Sequence, residues 1–244
     1  IFANGVRFNG VVGNEMSQLS ERTVIYDSRG QVIGRLGLED RSSVALSDVA
    51  PVMVVALLTT EDRDFYGNAG VDLQAVARAF FKNVNAGSVQ EGGSTLTQQL
   101  VKNRFFTAPQ RTLSRKVREA MLALRLDSEW PKNRILSEYL NTVYFGQGSY
   151  GIQAASERFF QTIPQDLNLA QAALLAGSIR DPEGNNPFTN PKGALARRSE
   201  VLGQMYEVGA ISNNERTFAE ASPLPDQRPQ SDLRPDNYYV EEVQ

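Results

Sequence analysis

After residue 47 this chain carries a helical period nearly throughout and no clear strand signal, which commits it to a mainly α fold. Ser47 or Asp48 can cap a first helix beginning near Pro51, a residue suited to a first turn. The apolar run from Val52 to Leu58 closes that helix at Thr59-Thr60-Glu61. A second helix fits 72–84, with Leu73, Val76, Ala77, Phe80 and Phe81 on one face and Asn85-Ala86-Gly87-Ser88 ending it. Gly92-Gly93-Ser94 leads into a third, where Thr95 and Gln98 have the spacing of a capping box. Residues 111–127 carry a clear helical stripe of Leu113, Val117, Ala120, Met121 and Leu124. Further helices are expected over 132–142, 151–160, 166–176 and 191–208. The strand signal lies earlier, where Thr23–Tyr26 and Val32–Leu36 flank Asp27-Ser28-Arg29-Gly30 as a small N-terminal β-hairpin.

The chain has 244 residues, 41% of them hydrophobic, enough to bury the core of one large domain or two modest ones. Three segments are expected: 1–44 with the hairpin, a helical body over 45–220, and a linker over 221–244. The linker reading rests on four prolines between Pro223 and Pro235 and on alternating charge. Tyr238-Tyr239-Val240 reads as the start of another ordered segment. No apolar run approaches the ~20 residues that span a bilayer, and the chain opens on Ile1 without a signal-peptide pattern. It reads as a piece of something longer, with any anchor elsewhere.

Two zeros narrow the chemistry. With no Cys and no His, thiolate nucleophiles, Ser-His triads and imidazole-ligated metals are excluded. What remains is carboxylates, Lys, Arg, Tyr, hydroxyls, amides and a hard, oxygen-loving cation. The net charge of −3 argues against a general nucleic-acid binder.

Three clusters stand out within those limits. Glu61-Asp62-Arg63-Asp64 follows directly on an apolar helix. It reads equally as a solvated helix end and as a base whose carboxyl is raised by desolvation. Glu91 to Asn103 offers a glycine pair at a helix N-terminus, then Gln98 and Gln99 one turn before Lys102. That is an anion-binding arrangement or an ordinary capped helix with a polar face. Between Lys102 and Arg125 there are seven cations against one acid, Glu119, with Arg115 and Lys116 four and three residues before it. A solvated basic face is the commoner meaning of such a run. A polyanion site, with pyrophosphate as the natural ligand, is the sharper one.

In this order the blocks resemble the peptidoglycan glycosyltransferase (transglycosylase) domain, glycosyltransferase family 51, of bifunctional class A penicillin-binding proteins. The resemblance rests on Glu61-Asp62-Arg63 with Phe65, the Gly92 to Asn103 block, Arg115-Lys116-x-x-Glu119 and the Ile135 to Gly151 block. It continues through Ala172 to Gly177, Asn186-Pro187, Asn190-Pro191 and Arg197-Arg198-x-x-Val201-Leu202. It implies a lysozyme-like fold of two lobes, the smaller one against the membrane near Phe105-Phe106. It implies polymerisation of lipid II into a β-1,4 glycan at the outer face of the cytoplasmic membrane, with inversion and release of undecaprenyl pyrophosphate.

Carried over by position, Glu61 is the general base and Glu119 the second carboxylate, able to hold a divalent cation (Mg or Mn) near the leaving group. Lys102, Arg115 and Lys116 neutralise the pyrophosphate; Ser94, Gln98 and Gln99 position the donor. No organic cofactor is implied. The implied partners are lipid II, the nascent glycan chain, the membrane and a transpeptidase domain elsewhere in the longer chain, since no Ser-x-x-Lys occurs here.

Asn68 stands where the family usually has His, Gln161-Thr162 where Gly-Lys is common, and Gln171 where an acid is usual. A hydrolytic, lysozyme-like glycosidase would need the carboxylates without the basic patch. A silent lipid II-binding module would need neither acid.

Overall fold

The computed structural model describes residues 23–26, 32–36, 43–72, 93–105 and 113–225. The expected helix over 72–84 beyond Asp72, Phe106, residues 1–22 and the tail from 226 lie outside them. Two short strands, β1 (Thr23–Tyr26) and β2 (Val32–Leu36), pair antiparallel with Thr23 opposite Leu36. Eight α-helices follow among the described residues: α1 (Pro51–Glu61), α2 (Leu96–Phe105), α3 (Leu113–Glu129), α4 (Lys132–Thr142), α5 (Ile152–Phe160), α6 (Leu169–Ser178), α7 (Pro191–Glu207) and α8 (Asn213–Ala221). A second hairpin, β3 (Tyr144–Gly146) and β4 (Ser149–Tyr150), sits between α4 and α5.

The core forms where apolar faces meet. Helix α1 packs on α6 and α7, burying Met53, Ala56 and Leu57 completely. Helix α6 is buried from Ala172 to Ser178, and its small side chains let α7 approach; a Cβ on Gly177 would lie 3.0 Å from Arg197 Cγ. Helix α2 packs on α3 and α4, and α4 buries Ile135, Leu136, Tyr139 and Leu140, the spacing of one helical face. Arg198 is a buried cation on α7. Its guanidinium donates to the carbonyls of Glu220 (3.0 Å) and Ser222 (2.7 Å), fastening the chain after α8 to α7.

Several local expectations are corrected. Neither Ser47 nor Asp48 caps α1: Leu46–Asp48 form a 3₁₀ turn, and Ala50 is the N-cap without a side-chain bond, Pro51 opening the helix. Helix α6 starts at Leu169 instead of 166, because Pro164–Asp166 form another 3₁₀ turn and Asn168 with Gln171 makes the capping box. Helix α8 went unpredicted, although Ser212 and Glu215 make a capping box; its sequence is polar and it buries Ala219 alone.

Three members of the α3 stripe are turned outward. Val117, Met121 and Leu124 are 52%, 64% and 48% exposed, while Glu119, Ala123 and Leu126 are buried against the body. This helix has two apolar faces, and periodicity cannot say which one packs.

The glycine-rich stretch after α4 closes as the β3–β4 hairpin, with Gly146, Gln147 and Gly148 all at positive φ. Gly151, at φ +86° and ψ 157°, follows β4, where a Cβ would meet Asn141 O at 2.7 Å. Only glycine tolerates that conformation. Gly151→Ala is therefore expected to cost about 3 kcal/mol, a fall of roughly 10 °C in Tm by thermal denaturation. A shift within 2 °C would refute the strain argument.

Candidate active site

Glu61 is the last residue of α1, half-buried on the wall of an open cleft of about 1090 Å³. Helix α2 begins across from it, and Gln99 Nε2 donates to Glu61 Oε2 at 2.8 Å. Gln99 is held in turn by Tyr139 of α4, whose buried hydroxyl donates to Gln99 Oε1 at 2.9 Å. Burial pushes the Tyr139 phenol well above its ordinary value, and the nearby Glu61 and Asp62 carboxylates add to this. It stays protonated and remains a donor.

The buried carboxylate of this turn is the neighbour, Asp62, 8% exposed. Its Oδ2 accepts from the backbone N–H of Leu96, the first residue of α2, and its Oδ1 from Asn68 Nδ2, both at 2.9 Å. A carboxylate at a helix N-terminus meets unsatisfied N–H groups and the positive end of the dipole. Burial pushes the Asp62 carboxyl up, opposed by the Leu96 N–H, the Asn68 amide and the Lys132 charge. Desolvation at this helix end thus falls on Asp62, which ties α1 to α2 instead of facing open solvent.

Asn68 completes the tie. Its Oδ1 accepts from Gly70 N at 3.1 Å and from Lys132 Nζ at 3.2 Å, and Lys132 also reaches Asp127 at 2.6 Å. At this position, where the resembled family usually has His, an amide makes the local bonds without a proton equilibrium near neutrality.

The N-terminus of α2 forms the expected capping box, with Thr95 N donating to Gln98 Oε1 and Gln98 N to Thr95 Oγ1, each at 3.1 Å. Gln98 is 3% exposed and belongs to that cap, beneath the cleft surface and not on it, because its amide oxygen satisfies the helix entry. Ser94, Gln99 and Lys102 line the cleft. Arg115 and Lys116 flank Glu119 at 3.1 and 3.4 Å on α3, one helical surface as the spacing requires. None of these three lines the cleft itself, but Lys116 Nζ donates to Ser94 Oγ at 2.8 Å and joins the basic patch to the cleft mouth.

The donor set does not fit a divalent cation at Glu119. That carboxylate is 2% exposed and its two oxygens face Arg115 and Lys116, where a metal would need several oxygen ligands at closer range. Among the described residues no three acidic side chains converge as a metal cluster.

The opposite wall carries residues that sequence reasoning left out of the site: Arg180, Arg197, Glu200, Gln204 and Glu207. The last four fall on one face of α7, away from the buried Ala194, Val201, Leu202 and Met205. The signal was present, since a polar stripe opposite an apolar one is readable at 3.6 residues per turn. What was not readable is that this stripe would meet the end of α1.

A transglycosylase family model matches residues 29–206. Penicillin-binding protein 1A of Aquifex aeolicus (strain VF5) is 40% identical over 200 residues, covering 82% of this chain and 27% of that protein. Penicillin-binding protein 1F of Bacillus subtilis (strain 168) is 36% identical over 214 residues, covering 88% and 30%. This chain therefore spans under a third of the length of these relatives. The crystal structure of penicillin-binding protein 1A from Haemophilus influenzae shares the fold, with a TM-score of 0.54 at 23% identity, over 93% of this chain and 24% of that one. The chain thus belongs to the transglycosylase family and is a peptidoglycan glycosyltransferase domain.

Proposed function

We propose that this domain polymerises lipid II at the outer face of the cytoplasmic membrane. The observation that carries the reading is the Glu61 carboxylate, oriented by Gln99 at 2.8 Å and opening onto a cleft that Lys102 and Ser94 also line. Glu61 takes the proton from the 4-hydroxyl of the acceptor GlcNAc as that oxygen attacks C1 of the donor MurNAc. The bond from C1 to the diphosphate oxygen breaks on the opposite face, so the α-linked donor becomes a β-1,4 product. Negative charge collects on the departing undecaprenyl pyrophosphate, and on this reading Lys102, Lys116 and Ser94 receive it. Arg115 and Glu119 set the position of Lys116 on α3.

On the same reading, residues 1–44 and 221–244 join the catalytic body to the rest of a longer chain that carries a membrane anchor and a transpeptidase domain. Among the described residues no helix is long and apolar enough to cross a membrane.

The test is polymerisation of purified lipid II by this chain, followed as a ladder of glycan products that a muramidase digests. Lys102→Ala is expected to lower the rate ~10²-fold through lost stabilisation of the leaving diphosphate. An unchanged rate for that variant would remove Lys102 from the diphosphate site. A wild-type chain that hydrolyses finished glycan and leaves lipid II intact would support a glycosidase instead.

A further inference from the structure

The Gln99 amide faces two groups, and either of its ends could in principle turn toward Glu61. If its oxygen turned to the carboxylate, two acceptors would oppose each other. If its NH₂ group does so, Gln99 donates to the carboxylate. The carboxylate only accepts and so takes the NH₂ end, and Tyr139 reinforces that choice. Its ring is fully buried in α4, and its hydroxyl donates to Gln99 Oε1 at 2.9 Å, which leaves Nε2 for Glu61 Oε2 at 2.8 Å. A flipped amide would set Gln99 Oε1 against Glu61 Oε2, acceptor to acceptor, and would take away the oxygen to which Tyr139 donates.

We propose that Tyr139 is a positioning residue for glycosyl transfer, its hydroxyl locking the Gln99 amide so that an N–H group always faces Glu61 and keeps that carboxylate oriented and ready to accept a proton. The proposal rests on Glu61 being the base. Tyr139 touches no substrate; it acts through Gln99.

The other charged groups that share the cleft with Glu61 belong to every surrounding element. Asp62, Arg63 and Asp64 lie on its own turn, with Asp72 nearby, and Lys102 lies on α2. Arg180 follows α6, and Arg197, Glu200 and Glu207 come from α7. Tyr139→Phe alters none of them and keeps the buried ring, so a change in the pH response of the variant reports on the amide.

The test is a double-mutant cycle on lipid II polymerisation with Tyr139→Phe, Gln99→Ala and both together, beside Glu61→Gln. Tyr139→Phe is expected to lower kcat about tenfold with KM within twofold, and to move the acid limb of the rate profile to higher pH. In the Gln99→Ala background the same change should cost nothing further, because its route is already cut. The pH at half-maximal rate does not depend on how much of a variant is folded, so it separates positioning from simple loss of structure. An unshifted acid limb overturns the proposal, as does an equal loss from Tyr139→Phe with or without Gln99. If Glu61→Gln is inactive while Tyr139→Phe is unaffected, the relay alone fails. Full activity in Glu61→Gln overturns the base assignment and the relay with it.

Discussion

Glu61→Gln is expected to reduce lipid II polymerisation roughly 10³-fold while leaving Tm within about 2 °C, since a positioned general base contributes 10²–10⁴-fold. The two parts of this expectation come from the same geometry. A glutamine side chain at 61 still offers an oxygen to Gln99 Nε2, so the contact between α1 and α2 survives. What disappears is the ability to take a proton from the attacking hydroxyl. Burial of Asp62 beside it does not offer a substitute, because both oxygens of that carboxylate are occupied by Leu96 N–H and Asn68. The measurement is initial rate against lipid II concentration, with melting curves for both proteins. Retention of more than a tenth of the wild-type kcat would sink the base assignment. Loss of activity together with a large fall in Tm would show that residue 61 matters for folding instead.

Asp62→Ala is expected to be the most damaging single change to stability in the site, at about 4 kcal/mol. Three groups lose their partner at once. The Leu96 N–H at the start of α2 and the Asn68 amide lose acceptors, and Lys132 loses a neighbouring negative charge. A buried donor without an acceptor costs more than the bond contributed, and this one sits at a helix end. A drop of roughly 12 °C in Tm follows. Asp62→Asn should fall between, because an amide provides one acceptor oxygen where two donors converge. Differential scanning calorimetry of the three proteins checks the order, and a loss below 3 °C for Asp62→Ala would refute this role. Activity should fall with stability here, since the same carboxylate holds the end of α1 against the start of α2.

Sequence reasoning located much of this site because its local devices are local in sequence. Thr95 and Gln98 are three residues apart, Arg115, Lys116 and Glu119 share one turn of helix, and the family blocks put Glu61 and Gln99 on the list. What stayed hidden were contacts between distant segments. Asp62 meets Leu96 across 34 residues and Tyr139 meets Gln99 across 40, and no pattern along the chain announces either. The outward turn of Val117 and Met121 was not legible for a related reason: α3 has two apolar stripes, and only its packing on α2 selects one. Gln98 and Gln99 look equivalent as letters, yet a 100° step around α2 sends one into the cap and the other into the cleft.

Arg198 gives the fold a mechanical property. Its buried guanidinium grips the carbonyls of Glu220 and Ser222, while its neighbour Arg197 stands on the cleft wall of the same helix. A pull on the chain as it departs past Pro223 is therefore carried into α7, one full element inward, before it can unwind α8. Helix α7 is 17 residues long and packs along α1 and α6. The end of α8 and one wall of the cleft are thus joined through one helix by a single arginine.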